Sequence, residues 1–208
     1  MSRHAGEGVV VATRILAGDD RTHYDAVART LHWLTAALVL LQFGLSQIWG
    51  FLPRPERQLM IVTHMSFGMV LSAVLVARIV WRLMPGHQAA AAVSGWVELA
   101  AKAVHYLLYG LLAAEAVLGF VWRWSEDRAM SFFGLLIPPP FAPFSKPAHA
   151  LVEDLHTWIG WAIIIVAAGH ALAALYHHFV LHDQVLWRML PGRRARRAEM
   201  RAPTPGQA

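Results

Sequence analysis

The chain has 208 residues, of which 57% are hydrophobic and 15% charged, and its mean hydropathy is +0.43; this is a membrane-type composition that excludes most soluble classes. Lys and Arg number 18 against 13 Asp and Glu, a net charge of +5, but they fall between apolar runs, so they read as determinants of membrane topology and not as a nucleic-acid surface. The absence of cysteine excludes disulfides, Cys-ligated iron–sulfur clusters, thiolate haem ligation and covalent c-type haem attachment.

Residues 1–23 hold one short apolar patch, 9–12, broken by Arg14. It is too short for a signal-peptide core and reads as a cytoplasmic tail. Four apolar stretches follow, at 31–49, 60–81, 103–122 and 155–180. Each is close to the ~20 residues that cross a hydrocarbon core with every backbone group paired inside its own helix. Trp49, Trp81, Trp122, Trp124 and Trp158 lie near the ends of these runs, where amphipathic rings favour the headgroup level. The connection at 123–154 contains "SFFGLLIPPPFAPF" and suits an interfacial flap. The two tails and the second connection carry thirteen Lys and Arg, and the first and third connections carry five. Both termini are therefore expected on the cytoplasmic side. Phosphate-loop, dinucleotide, metalloprotease and triad patterns are absent.

The chain has twelve histidines, and a histidine inside a span is costly unless it faces a partner. His156 and His170 lie fourteen residues apart on the last span, which separates them by ~21 Å of helical rise on nearly one face. The second span runs the same way and carries His64 near its outer end; the first runs oppositely and carries His32 near its inner end. By depth, His64 pairs with His156 and His32 with His170. Two imidazole pairs at two depths suit two haem groups held between helices, because neutral imidazole is a good iron ligand. Gly68 and Gly160 each follow an outer histidine by four residues. They either clear room for a macrocycle or simply allow close helix packing.

These segments, "ARTLHWL", "THMSFGM", "LHTWIGW", "GHALAALYHHF" and "DQVLWRMLP", resemble the bacterial cytochrome b561 family of four-span di-haem membrane proteins over residues 24–191. The resemblance implies an all-α integral membrane four-helix bundle in the bacterial inner membrane, flanked by tails at 1–23 and 192–208. It also implies two b-type haems, the cytoplasmic one ligated by His32 and His170 and the periplasmic one by His64 and His156. The activity it implies is superoxide oxidation outside and ubiquinone reduction near the inner haem. The donor is superoxide or another periplasmic electron donor; a second reading makes the chain the cytochrome b subunit that passes electrons between a partner dehydrogenase or hydrogenase and the quinone pool. A third is a haem-free transporter using His and Glu115.

For His32 to meet His170, the first helix has to begin before its apolar run, capped near Asp25 with Arg29 reaching the surface. His177, seven residues after His170, is the rival ligand, and His105 could also replace one; His178 and His182 read as surface residues. His4, His23, His87 and His149 read as exposed loop residues. Arg78 is either a propionate partner of the inner haem or a cytoplasmic anchor. Lys102, His105 and Tyr106 are candidate quinone contacts by position alone. Glu115, the one carboxyl deep in a span, is expected to be neutral and hydrogen-bonded between helices. Gln42 and Gln47 serve helix contacts or a haem pocket. Outside, five basic residues are matched by Glu56, Glu126, Asp127, Glu153 and Asp154, so a steering surface for an anion depends on local arrangement.

Overall fold

A computed structural model describes residues 24–85, 93–183 and 185–190. The first helix, α1 (Ala26–Ile48), starts ahead of its apolar run as expected, because the Asp25 carboxylate accepts the Ala28 N–H at 2.8 Å and so satisfies one of the unpaired donors of the first turn. A 3-10 turn at Trp49–Phe51 leads into α2 (Arg54–Leu83), whose Trp81 indole donates back to Asp25 at 3.1 Å. α3 (Gly95–Ser125) and α4 (Lys146–Phe179) complete the set. All four helices are long and apolar enough to cross a bilayer, and the chain is a multi-pass membrane protein.

The helices overrun the apolar stretches at most of their ends, by up to nine residues at the start of α4. Hydropathy stops at the first charges, whereas the helical hydrogen bonds continue through the headgroup layer, where Arg54, Glu56, Lys146 and Glu153 are solvated. The third connection therefore shrinks from 123–154 to 126–145.

The backbones of α1 and α2 run closely together, as do those of α3 and α4, with a lighter α2–α3 contact. α4 makes no comparably close backbone approach to α1 or α2. Leu75, Leu112 and Ile163 form a buried apolar layer, joined by Val39, Ile79, Tyr109 and Ile159. Many other apolar side chains of the spans are exposed, as they are where lipid is the solvent.

One departure from an all-helical chain lies in the third connection. β1 (Met130–Phe132) and β2 (Leu135–Ile137) form an antiparallel hairpin with Met130 opposite Ile137. Its two turn residues, Phe133 and Gly134, have φ of +48° and +97°, the left-handed pairing that matches the twist of a two-residue hairpin. Glycine adopts this freely and phenylalanine does not. Phe133 is held there by α2: its N–H donates to Ser66 Oγ at 2.8 Å, and its ring meets Phe67 edge-on at 5.6 Å. The Ser66 hydroxyl is fully buried and in turn lies within donating distance of Val62 O, 2.7 Å, and Ser131 O, 3.2 Å. Ser66→Ala is expected to leave the Phe133 amide unpaired at a local cost of ~1–3 kcal/mol. Hydrogen exchange read by mass spectrometry should speed up over residues 130–137, with the helices unchanged; equal protection in both proteins would show that Ser66 does not pin the hairpin.

At the opposite end of the bundle, the Trp33 indole donates to Met189 O at 2.8 Å, and the Trp187 and His178 rings meet at 5.2 Å. His177 bonds Asp183. Partial burial works against the Asp183 charge, but the bonds from His177 and the Val185 N–H outweigh it and hold the carboxyl below its ordinary range. We call the two ends of the bundle the hairpin end and the tail end.

Candidate cofactor sites

At the hairpin end, His64 of α2 and His156 of α4 face one another with ring centroids 6.3 Å apart and planes at 82°. At the tail end, His32 of α1 and His170 of α4 are also 6.3 Å apart, with planes at 69°. Two imidazoles bound on opposite sides of one metal ion, with bonds of about 2 Å to ring nitrogens, have centroids about 6 Å apart. Both pairs meet this spacing. They also meet across the faces where α4 stands away from α1 and α2, which is where a planar ring needs room. The donor set of neutral imidazoles without thiolate or carboxylate in the pair suits haem iron. The residues present therefore fit a bis-imidazole haem at each end, and the apolar layer of Leu75, Leu112 and Ile163 lies between the two levels.

The hairpin-end pair opens on a cavity of about 310 Å³, within the size range of small-molecule and cofactor sites. Its lining is mostly apolar and includes Met65, Gly68, Gly119 and Met130 beside the two histidines. Trp49 packs on His64 at 5.1 Å and Trp122 on His156 at 5.4 Å, so the helix-end tryptophans also buttress the imidazoles. Arg123 and Glu126 line the same cavity. Arg123 donates to Ala129 O at 3.1 Å, and Glu126 lies near both Arg128 and His149. His149 lies in the first turn of α4, is only part-exposed and bonds Ser125 Oγ at 2.7 Å, unlike the exposed loop residue expected for it.

The glycines have neighbours that the sequence did not reveal. A Cβ on Gly68 would come within 2.7 Å of Gln42 Nε2, which donates to His64 O at 2.9 Å. A Cβ on Gly160 would come within 3.2 Å of Glu115 Oε1, and one on Gly119 within 3.4 Å of His156 Cε1. Gly68 lines the cavity, whereas Gly160 makes room for a carboxyl. Gly119 is the residue that spacing alone missed, because it follows no histidine of its own helix by four residues and lies against one from α4. Glu115 does not make the full set of hydrogen bonds expected of it. Its Oε1 lies 3.3 Å from His156 Nδ1 without hydrogen-bond alignment, and its buried Oε2 has no partner.

At the tail end, Arg78 points into the bundle. Its Nη2 donates to His32 Nδ1 at 2.9 Å, and its guanidinium lies 5.1 Å from the Tyr109 ring centre, so the surface-anchor reading does not describe it. His105 lies 5.1 Å from His170, a direct ring contact and shorter than a metal-bridged pair requires. His177 is engaged by Asp183. The geometry thus prefers His170 over His177 as partner for His32, and His32 over His105 as partner for His170. The three suggested quinone contacts separate: His105 turns inward, Tyr106 is exposed, and Lys102 pairs with Glu98 at 2.6 Å on the surface. His4, His23 and His87 lie outside the described residues.

A family model described as prokaryotic cytochrome b561 matches residues 23–192. Among curated proteins, the chain is 29% identical to cytochrome b561 homolog 2 of Escherichia coli (strain K12), across 80% of this chain and 90% of that protein. It is 28% identical to cytochrome b561 homolog 1 of the same organism, across 79% and 94%. It is also 28% identical to the probable superoxide oxidase CybB of Yersinia pestis, across 82% and 97%.

Proposed function

The chain belongs to the prokaryotic cytochrome b561 family of membrane electron-transfer cytochromes, and from that premise we propose that it binds two b-type haems and moves electrons across the bacterial inner membrane from superoxide to ubiquinone. The observation that carries the reading is the pair of 6.3 Å imidazole spacings on one face of α4. His64 and His156 are the ligands at the hairpin end and His32 and His170 those at the tail end. A haem held by two histidines at either site would supply one-electron chemistry and no binding place for oxygen. The net reaction is two superoxide, one ubiquinone and two protons giving two dioxygen and one ubiquinol.

The remaining roles belong to the chain. The positive-inside count supports a cytoplasmic tail end and a periplasmic hairpin end, with residues 24–191 as the cytochrome unit between tails 1–23 and 192–208. At the hairpin end, Arg123 and Arg128 offer positive charge to an anion beside Glu126 and His149. At the tail end, the Arg78 guanidinium can only donate, so His32 accepts at Nδ1 and keeps its proton on Nε2. Were His32 to hold a haem through Nε2, its proton would sit on Nδ1 and Arg78 would be released to pair with the carboxylates of that group. His105 is the favoured quinone contact of the three, because it alone turns toward His170. Similarity to a protein named as a probable superoxide oxidase supports superoxide as the donor.

Purification of the chain alone, with haem quantified by pyridine haemochrome and superoxide-driven ubiquinone reduction followed optically, tests this. Two haems per chain and superoxide-dependent ubiquinol formation are expected. Activity only with an iron–sulfur partner would instead make the chain a cytochrome b subunit of a larger complex, and a colourless preparation would refute the haem assignment.

A further inference from the structure

A carboxyl in the middle of a membrane span is expensive and calls for a local reason. Glu115 is on α3 and His156 on α4, and these two helices pack closely. Its Oε1 lies 3.3 Å from His156 Nδ1, and both groups are mostly covered, with 22% and 15% of their side-chain surface exposed. The pair is wedged between two glycines. Gly160 leaves the space taken by the carboxyl, which a methyl group there would crowd at 3.2 Å, and Gly119 lies against the imidazole, where a methyl group would sit at contact distance, 3.4 Å. Both His156 Nδ1 and Glu115 Oε2 are left without a hydrogen-bond partner. Such buried polar atoms cost free energy unless a change in the site pairs them.

Resting on the two-haem reading, we propose that Glu115 is a positioning residue for the hairpin-end haem, accepting the Nδ1–H of His156 when Nε2 binds iron. Metal-bound imidazoles commonly donate their second N–H to a carboxylate or carbonyl, which fixes tautomer and ring angle and makes the ligand more basic. A more basic ligand favours ferric over ferrous iron. Among the described residues, His156 is the only one of the four paired histidines with a carboxyl at its Nδ1; His32 has the donor-only Arg78 there. The groups behind the two α4-paired sites thus differ, a carboxyl at one end and a guanidinium at the other. The carboxyl lowers the potential at the hairpin end, so that electrons entering there run downhill toward the tail end.

The test is spectroelectrochemical titration of the purified, haem-loaded chain in detergent, with the hairpin-end signal identified by its absence in His156→Leu. Glu115→Leu is expected to shift the ferrous/ferric balance of that haem about tenfold toward ferrous, ~59 mV upward for one electron, and to leave the other haem where it was. Glu115→Gln keeps the volume and a weaker acceptor and should move the potential upward by less. Gly160→Ala, whose methyl group would crowd Oε1 at 3.2 Å and displace it from its place beside His156 Nδ1, should move it in the same direction. The low-spin ferric electron paramagnetic resonance signal of the same haem should shift in step. An unchanged hairpin-end potential in Glu115→Gln overturns the proposal, whether or not Glu115→Leu retains its haem. Haem stoichiometry is measured first: fewer than two haems in the unaltered chain would refute the underlying two-haem reading and not the role of Glu115.

Discussion

Replacing His156 with leucine is expected to halve the haem content, removing the hairpin-end haem and sparing the other, and replacing His170 with leucine should do the reverse. Each pair contributes one imidazole from α4 and one from a different helix, so a variant lacking either α4 histidine would have one residue left to hold the group. Leucine fills the space and ligates nothing. Independence of the two losses follows from the ~21 Å of helix between the α4 ligands and from the packed Leu75, Leu112 and Ile163 layer between the levels. Haem quantification and reduced-minus-oxidised spectra of the purified variants give the result directly. Two haems in His170→Leu would transfer the tail-end ligation to His105, whose ring already touches that of His170. Loss of both haems in either variant would show that the two sites fold as one.

The histidine pairing was legible in the sequence because it depends on depth alone. A fourteen-residue interval on one helix sets two levels, and the direction of each span says which other histidine shares them. The Asp25 cap was legible for the same kind of reason, since His32 cannot reach the level of His170 unless α1 starts early. What faces the back of each imidazole was not legible. Glu115 meets His156, and Arg78 meets His32, only once it is known which helices touch and how each is rotated, and an apolar span without a polar face carries little record of its rotation. The glycine readings divided on this point: Gly68 lines a cavity, while Gly160 serves a residue of α3 that its spacing from His156 could not indicate. The hairpin was hidden more deeply. "SFFGLLI" lacks the alternation and the Asn-Gly or Asp-Gly signal of a solvent-exposed hairpin, and its turn depends on Ser66, 67 residues upstream of Phe133.

If the two sites act in series, His170→Leu should also stall after a single electron. In the unaltered chain two carriers fill in turn and are emptied in pairs by ubiquinone, so that stopped-flow mixing with superoxide shows a fast phase of two electrons per chain followed by steady turnover. In His170→Leu the hairpin-end ligands His64 and His156 are intact, and Arg123 and Arg128 still present the same charge near the cavity. The fast phase should therefore persist with half the amplitude. The steady phase should fall to the rate of the uncatalysed reaction, because the apolar layer of Leu75, Leu112 and Ile163 offers no carrier to the tail end. His156→Leu should behave differently, losing the fast phase itself while its remaining haem still accepts electrons from a quinol. This contrast separates a relay from two sites working in parallel. Parallel sites would leave each variant with about half of the original turnover, and a one-electron fast phase in His156→Leu would place the entry of electrons at the tail end.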